Sequence, residues 1–292
     1  MELQWPLIIF TTFVAWSAGL FASQCALALK KEGRKAQISA WVCSAVLLVV
    51  GGIAVFFHLQ HWERIFNGFG HLTSGITQEL ICIVVLAATA VLYLIMLRQS
   101  EDGSTVPRWT AIAGIVASVL LVVVMAHSYM MPARPAWNSV LWILAVLGNA
   151  CVLGPATMVL LCIAKGEKAV FAGLLTLVGA AVNAVATTIY AVALQVSANS
   201  FVNMGYYFDP TSPTRAMLDV SSTVAAQTPL LWAGAVAIGA LGPLACALAM
   251  KKKAPSSTWK IWGSLEVAFA LVGAVCLRAV FYGLGLSIFT LY

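Results

Sequence analysis

Five ionisable side chains fall inside or at the edges of long apolar runs: His58, Glu79, His127, Glu266 and Arg278. Four more, His61, Glu63, Arg64 and His71, lie in the stretch between His58 and Glu79. Charged groups are costly in lipid, which marks each as a functional candidate. Histidine titrates near neutral pH, and partial burial raises a carboxylate toward the same range. His58 and Glu79 are therefore suited to accept protons. On antiparallel segments joined by a short connection, the two face one pocket. Either residue alone is explained by satisfying a neighbour at an interface; the pair on one hairpin points to function.

The elements that must position them follow from composition. Of 292 residues, 62% are hydrophobic and 9% charged, and the mean hydropathy is +0.96. A soluble domain is about half apolar and about a quarter charged. These values exclude a water-soluble globular enzyme and a disordered chain. Eight apolar runs have the length a bilayer requires: roughly 5–29, 36–59, 73–97, 109–131, 137–164, 169–195, 227–250 and 261–287. The runs are too long, and alternate too little, for barrel strands. The fold class is all-α, a polytopic integral membrane protein forming one eight-helix domain over 1–292. The first run has no basic flank or cleavage site and reads as a retained helix.

The net charge of +6 serves topology rather than nucleic-acid binding. Alternate connections hold twelve Lys and Arg, the others three. The richer set belongs on the inner side, so both termini face outward. All four histidines, Glu79 and Arg278 then occupy the outer half, with Glu266 near the inner end where water is close. No stepping path of titratable groups crosses the bilayer, which argues against a pump. His58 and His127 sit at helix ends, which argues against a haem between them. The seven cysteines are scattered through apolar runs without a C-x-x-C pair, so no metal and no iron–sulfur cluster is expected in this chain. The connection 196–226, with Tyr206, Tyr207 and Phe208, reads as a docking surface, a lid or an interfacial cap. Leu153-Gly154-Pro155 recurs as Leu241-Gly242-Pro243, read as shared kink chemistry.

Three stretches carry a family likeness. Trp5-Pro6-Leu7-Ile8-Ile9-Phe10-Thr11 is similar to a W-P-L-x-I-F-T opening. His58-Leu59, Arg64, Phe66-Asn67, Ser74 and Glu79 resemble an H-L-x4-R-x-F-N … S-x4-E hairpin. Arg278-Ala279-Val280-Phe281-Tyr282-Gly283 resembles R-x-V-F-Y-G. In this order the chain resembles the membrane anchor subunit of the dimethyl sulfoxide reductase family. The resemblance implies a subunit of the bacterial cytoplasmic membrane that binds menaquinol near the outer face and oxidises it in anaerobic respiration. It implies two outer-face partners, an iron–sulfur electron-transfer subunit and a molybdopterin catalytic subunit. His58 and Glu79 match the family's quinol-site positions; Arg278 and Tyr282 follow from the last motif, and Arg64 and Asn67 from the hairpin. Trp62, Phe66 and Tyr282 are candidates to line the site. The family often carries a glutamate four residues before the arginine, where this chain has Ala274. That leaves the partner of Arg278 open among Glu79, a lipid or quinol oxygen, and a backbone carbonyl. Two other functions compete: a secondary transporter or solute channel, and a passive anchor without a quinol site.

Overall fold

The computed structural model describes residues 4–58, 70–101, 103–132, 134–167, 170–198, 220–252 and 257–285. In chain order the helices are α1 (Trp5–Leu29), α2 (Gln37–Phe56), α3 (Gly75–Gln99), α4 (Arg108–His127), α5 (Val140–Ala164) and α6 (Val170–Ser197). Then come α7 (Val220–Pro229), a π-helix π1 (Leu230–Leu241), α8 (Gly242–Lys251) and α9 (Ser257–Gly283). The segments α7, π1 and α8 join into one span, so among the described residues eight helices are long and apolar enough to cross a membrane. The protein is an all-α, multi-pass membrane protein. The seventh span begins at Val220, earlier than the apolar run suggests, because Ser221, Ser222 and Thr223 are polar yet helical.

Local signals set several boundaries. Pro6 opens α1, where its missing N–H costs no hydrogen bond. The Ser139 side chain caps α5 by accepting from the Leu141 N–H at 3.3 Å. The turn after α1 needs Gly33 at φ +66°; a Cβ there would also strike Leu27 Cδ2 at 2.8 Å.

Helices α1 and α5 are the most buried spans and α3 the least. Small residues put α1 and α5 at the centre. A Cβ on Gly19 would collide with the Ala150 carbonyl, and one on Gly154 with Gly19 itself. Such close backbone approach drives helix association where lipid removes the hydrophobic contrast. The periphery is tied on by hydrogen bonds: Ser17 Oγ to the Ser44 carbonyl at 2.8 Å, and Trp41 Nε1 to the Ala90 carbonyl at 2.8 Å. Across the bundle, Gly239 of π1 meets Gly273 of α9 backbone to backbone.

The two Leu-Gly-Pro triplets play different parts. Helix α5 runs unbroken through Pro155, whereas Gly242 marks where π1 returns to α-helical geometry.

Candidate functional site

The starts of α1, α3 and α5 and the ends of α2, α4 and α9 share one end of the bundle, the end that holds the first and last spanning-helix termini. Here α3 presses against the end of α4. A Cβ on Gly75 would lie 2.9 Å from Ser128 Cβ, so glycine brings the two chains together. One turn on, Glu79 is buried at 6% exposure, within hydrogen-bonding reach of Ser128. Its Oε1 has no hydrogen-bond partner among the described residues. A buried carboxyl oxygen left open in this way is free to take a proton or a ligand hydroxyl.

Next to Ser128 stands Tyr129. Its ring meets Tyr282 of α9 edge to face, centroids 5.5 Å apart. The two phenols are hydrogen-bonded, and Glu79 and Arg278 both act electrostatically on the pair. Loss of hydration, with Tyr282 and Glu79 beside it, holds the Tyr129 phenol well above the ordinary tyrosine range, so it stays a proton donor. Phe281 lies between two tryptophan rings, stacked on Trp142 at 3.6 Å and on Trp137 at 4.8 Å. Trp137 Nε1 donates to the Phe281 carbonyl at 2.6 Å, which pins the α4–α5 connection to α9.

Arg278 is completely buried. Its Nε donates to Thr11 Oγ1 at 3.0 Å and Nη2 to the Thr11 carbonyl at 3.2 Å. Its Nη1 donates to Asn149 Oδ1 at 2.8 Å and to the Ala274 carbonyl at 3.1 Å. This answers the question left by the missing glutamate. Arg278 turns back to the backbone carbonyl of Ala274 and to neutral oxygens of α1 and α5. No carboxylate is among these acceptors, so within the described residues the guanidinium is hydrogen-bonded to neutral oxygens alone. Asn149 in turn donates to Asn183 Oδ1 at 2.8 Å, and Asn183 to the Gly239 carbonyl at 2.9 Å. A polar chain thus runs from α9 through α5 and α6 to π1.

The other sequence candidates are placed as follows. His58 is exposed just past α2, its N–H on the Val55 carbonyl at 2.9 Å. Partial burial lowers its pKa below the usual histidine value. His127, the last residue of α4, and His71 are exposed. Trp62, Arg64, Phe66 and Asn67, with His61 and Glu63, lie outside the described residues, as does most of 196–226. Glu79, Arg278 and Tyr282 are brought into one electrostatic group. Glu266 differs from expectation: it is fully buried rather than close to water, and neither carboxyl oxygen has a hydrogen-bond partner among the described residues. The packing of α8 against α9 covers the depth at which helix length alone suggested hydration. Among the described residues no three His, Cys, Asp or Glu side chains gather as a metal would need.

Sequence reasoning missed Tyr129, Thr11 and Asn149 as site residues. Thr11 sits in the opening motif. Asn149 and Asn183 lie in the middle of apolar runs, and a buried amide needs partners. Tyr129, at a run's edge, resembles any interfacial aromatic.

A search of curated proteins found no match. The family model for the DMSO reductase anchor subunit (DmsC) matches residues 1–284. The chain therefore belongs to the DMSO reductase anchor subunit family and is a membrane anchor that associates with the other subunits of a DMSO reductase complex.

Proposed function

We propose that this anchor binds menaquinol at the end of the bundle that holds Glu79, Tyr129, Tyr282 and Arg278, and oxidises it. The observation that carries the reading is the buried Oε1 of Glu79, without a hydrogen-bond partner among the described residues, beside a phenol pair and a guanidinium whose described acceptors are all neutral. A quinol gives up two protons and two electrons. Glu79 takes one proton, with the Tyr129–Tyr282 pair orienting the hydroxyl it leaves. His58, exposed at the same end, takes the other toward water. Arg278 favours negative charge as it builds on the quinol oxygen, since its acceptors among the described residues are all neutral.

The electrons pass to an iron–sulfur subunit seated on this end, and from it to a molybdopterin subunit that reduces the terminal substrate. The basic connections belong to the cytoplasmic side, so protons leave on the outer face of a bacterial cytoplasmic membrane. Trp62, Arg64, Phe66 and Asn67, on the connection between His58 and Glu79, complete the lining in this reading.

The test compares two electron donors in the assembled complex. His58→Ala and Glu79→Gln should each lower menaquinol-dependent turnover by about 10²-fold or more. Turnover with a reduced viologen dye, which feeds the peripheral subunits directly, should stay unchanged. Normal quinol turnover in both variants overturns the proposal.

A further inference from the structure

A cavity lies away from the Glu79 group. It is an apolar groove of about 230 Å³ between α1, α4, α5 and α6, and neither α9 nor Glu79 contributes to its lining. Small residues of α1 and α5, among them Ala18, Ala22, Ala26 and Ala150, form its floor. Branched residues form its walls: Ile115 and Val119 from α4, Leu175 and Val178 from α6. Two lining hydroxyls are already used within their own helices. Ser23 Oγ donates to the Gly19 carbonyl and Ser118 Oγ to the Gly114 carbonyl, both at 2.7 Å. The groove thus suits a hydrocarbon chain and offers little to a polar head.

One end of the groove is basic. Ala18, Ala22, Ala26 and Lys30 recur every fourth residue, so Lys30 continues the floor's face one turn beyond Ala26. Phe171, four residues before Leu175, continues the α6 wall, and Lys30 Nζ lies 5.5 Å over its ring. Arg108, seven residues before Ile115, stands on the groove's face of α4. Both Lys30 and Arg108 are exposed. Two carboxylates beside this cap are engaged with backbone. Glu32 Oε2 accepts from the Phe171 N–H at 2.9 Å, and Glu167 Oε1 from the Lys35 N–H at 3.1 Å.

From the groove and its cationic cap we infer that this face binds an anionic phospholipid, one acyl chain in the groove and the phosphate at Lys30 and Arg108. From Ala18 to Ala26 the floor runs about 12 Å, enough for the inner part of one leaflet's chain. The phosphate meets two cations where the groove opens to the membrane surface. This site lies at the opposite end of the bundle from the Glu79 group, and its ligand does not take part in electron transfer.

The test places the assembled complex in nanodiscs of mixed phosphatidylglycerol and phosphatidylcholine and counts retained lipids by native mass spectrometry. Phosphatidylglycerol should be retained in preference. Lys30→Gln and Arg108→Gln should each cut that preference about fivefold. Ala22→Phe, which fills the floor, should abolish retention. Should Ala22→Phe fail to assemble, the two surface variants decide the matter. Equal retention of both lipids, an unchanged preference in the glutamine variants, or menaquinone in place of phospholipid overturns the inference.

Discussion

Arg278 and Asn149 meet at 2.8 Å in a fully covered interior, where the amide oxygen does the work usually given to a carboxylate. A neutral acceptor satisfies the donor geometry of a guanidinium while leaving its charge available. The two halves of that statement are separable by substitution.

Asn149→Leu should destabilise the protein by roughly 3 kcal/mol or more, because it strands a buried Arg278 N–H and ends the link to Asn183. Asn149→Asp keeps an acceptor for Arg278 and should assemble better than the leucine variant. It also neutralises the charge, so its quinol turnover should fall although the complex is intact. Thermal melting of the purified complex and quinol kinetics separate the effects. Full activity in the aspartate variant would show that the free charge is not needed.

Tyr129→Phe removes one hydroxyl from the pair with Tyr282 and keeps the ring contact at 5.5 Å. Assembly should be normal and menaquinol turnover about tenfold lower, one hydrogen bond's effect in the transition state. Dye-driven turnover serves as the control.

The pH dependence follows from His58. Its pKa is lowered from 6.5 by partial burial, so the neutral form is favoured in the fold and is ready to accept a proton at neutral pH. Quinol turnover should hold through pH 7 and drop only in acid, below about 6.5. His58→Gln should lower the rate and flatten that acid limb. The same shift costs a little stability in acid, as pH falls from the unfolded value through the lowered folded one. An acid limb that stays unchanged in His58→Gln would contradict the assignment.

Gly239→Ala should prevent stable assembly, since the added Cβ would meet Gly273 backbone rather than a movable side chain. Gly52→Ala, with open space around the new methyl, is the control and should be neutral. Yield and melting temperature of the complex give the readout.

Glu266 and Glu79 are both buried carboxyls, and they should behave oppositely. Glu266→Gln should leave quinol turnover unchanged, and Glu266→Leu should leave the melting temperature equal or higher. Replacing a buried polar group without partners by an apolar one removes a desolvation cost. A loss of turnover in Glu266→Gln would give the opposite half of the bundle a chemical part.

The spans were legible because a bilayer imposes length and apolarity on each helix separately, so a local run carries the whole signal. Glu79 and Arg278 were legible for the same reason, as ions out of place in lipid. What was not legible depends on rotation about helix axes. Glu266 stands out in the sequence as plainly as Arg278 does, yet its burial is decided by the face it turns to α8. Asn149 looks like a lone amide until α9 brings Arg278 against it from 129 residues away. Tyr129 gains meaning only because Gly75 lets α3 close on the end of α4. The π1 segment has no simple sequence mark, since its composition suits an ordinary apolar helix.

That segment reads as an offset in the phase of the seventh span. A π turn takes in more residues than an α turn, so each residue beyond it is rotated relative to the unbroken helix. One residue more or less turns everything downstream by about 100°. Removing Ala237, for example, would swing Cys246 and Met250 out of the interior and withdraw the Gly239 carbonyl from Asn183. Point substitutions in this stretch act one at a time, but a single deletion would rewrite which side of α8 the bundle sees.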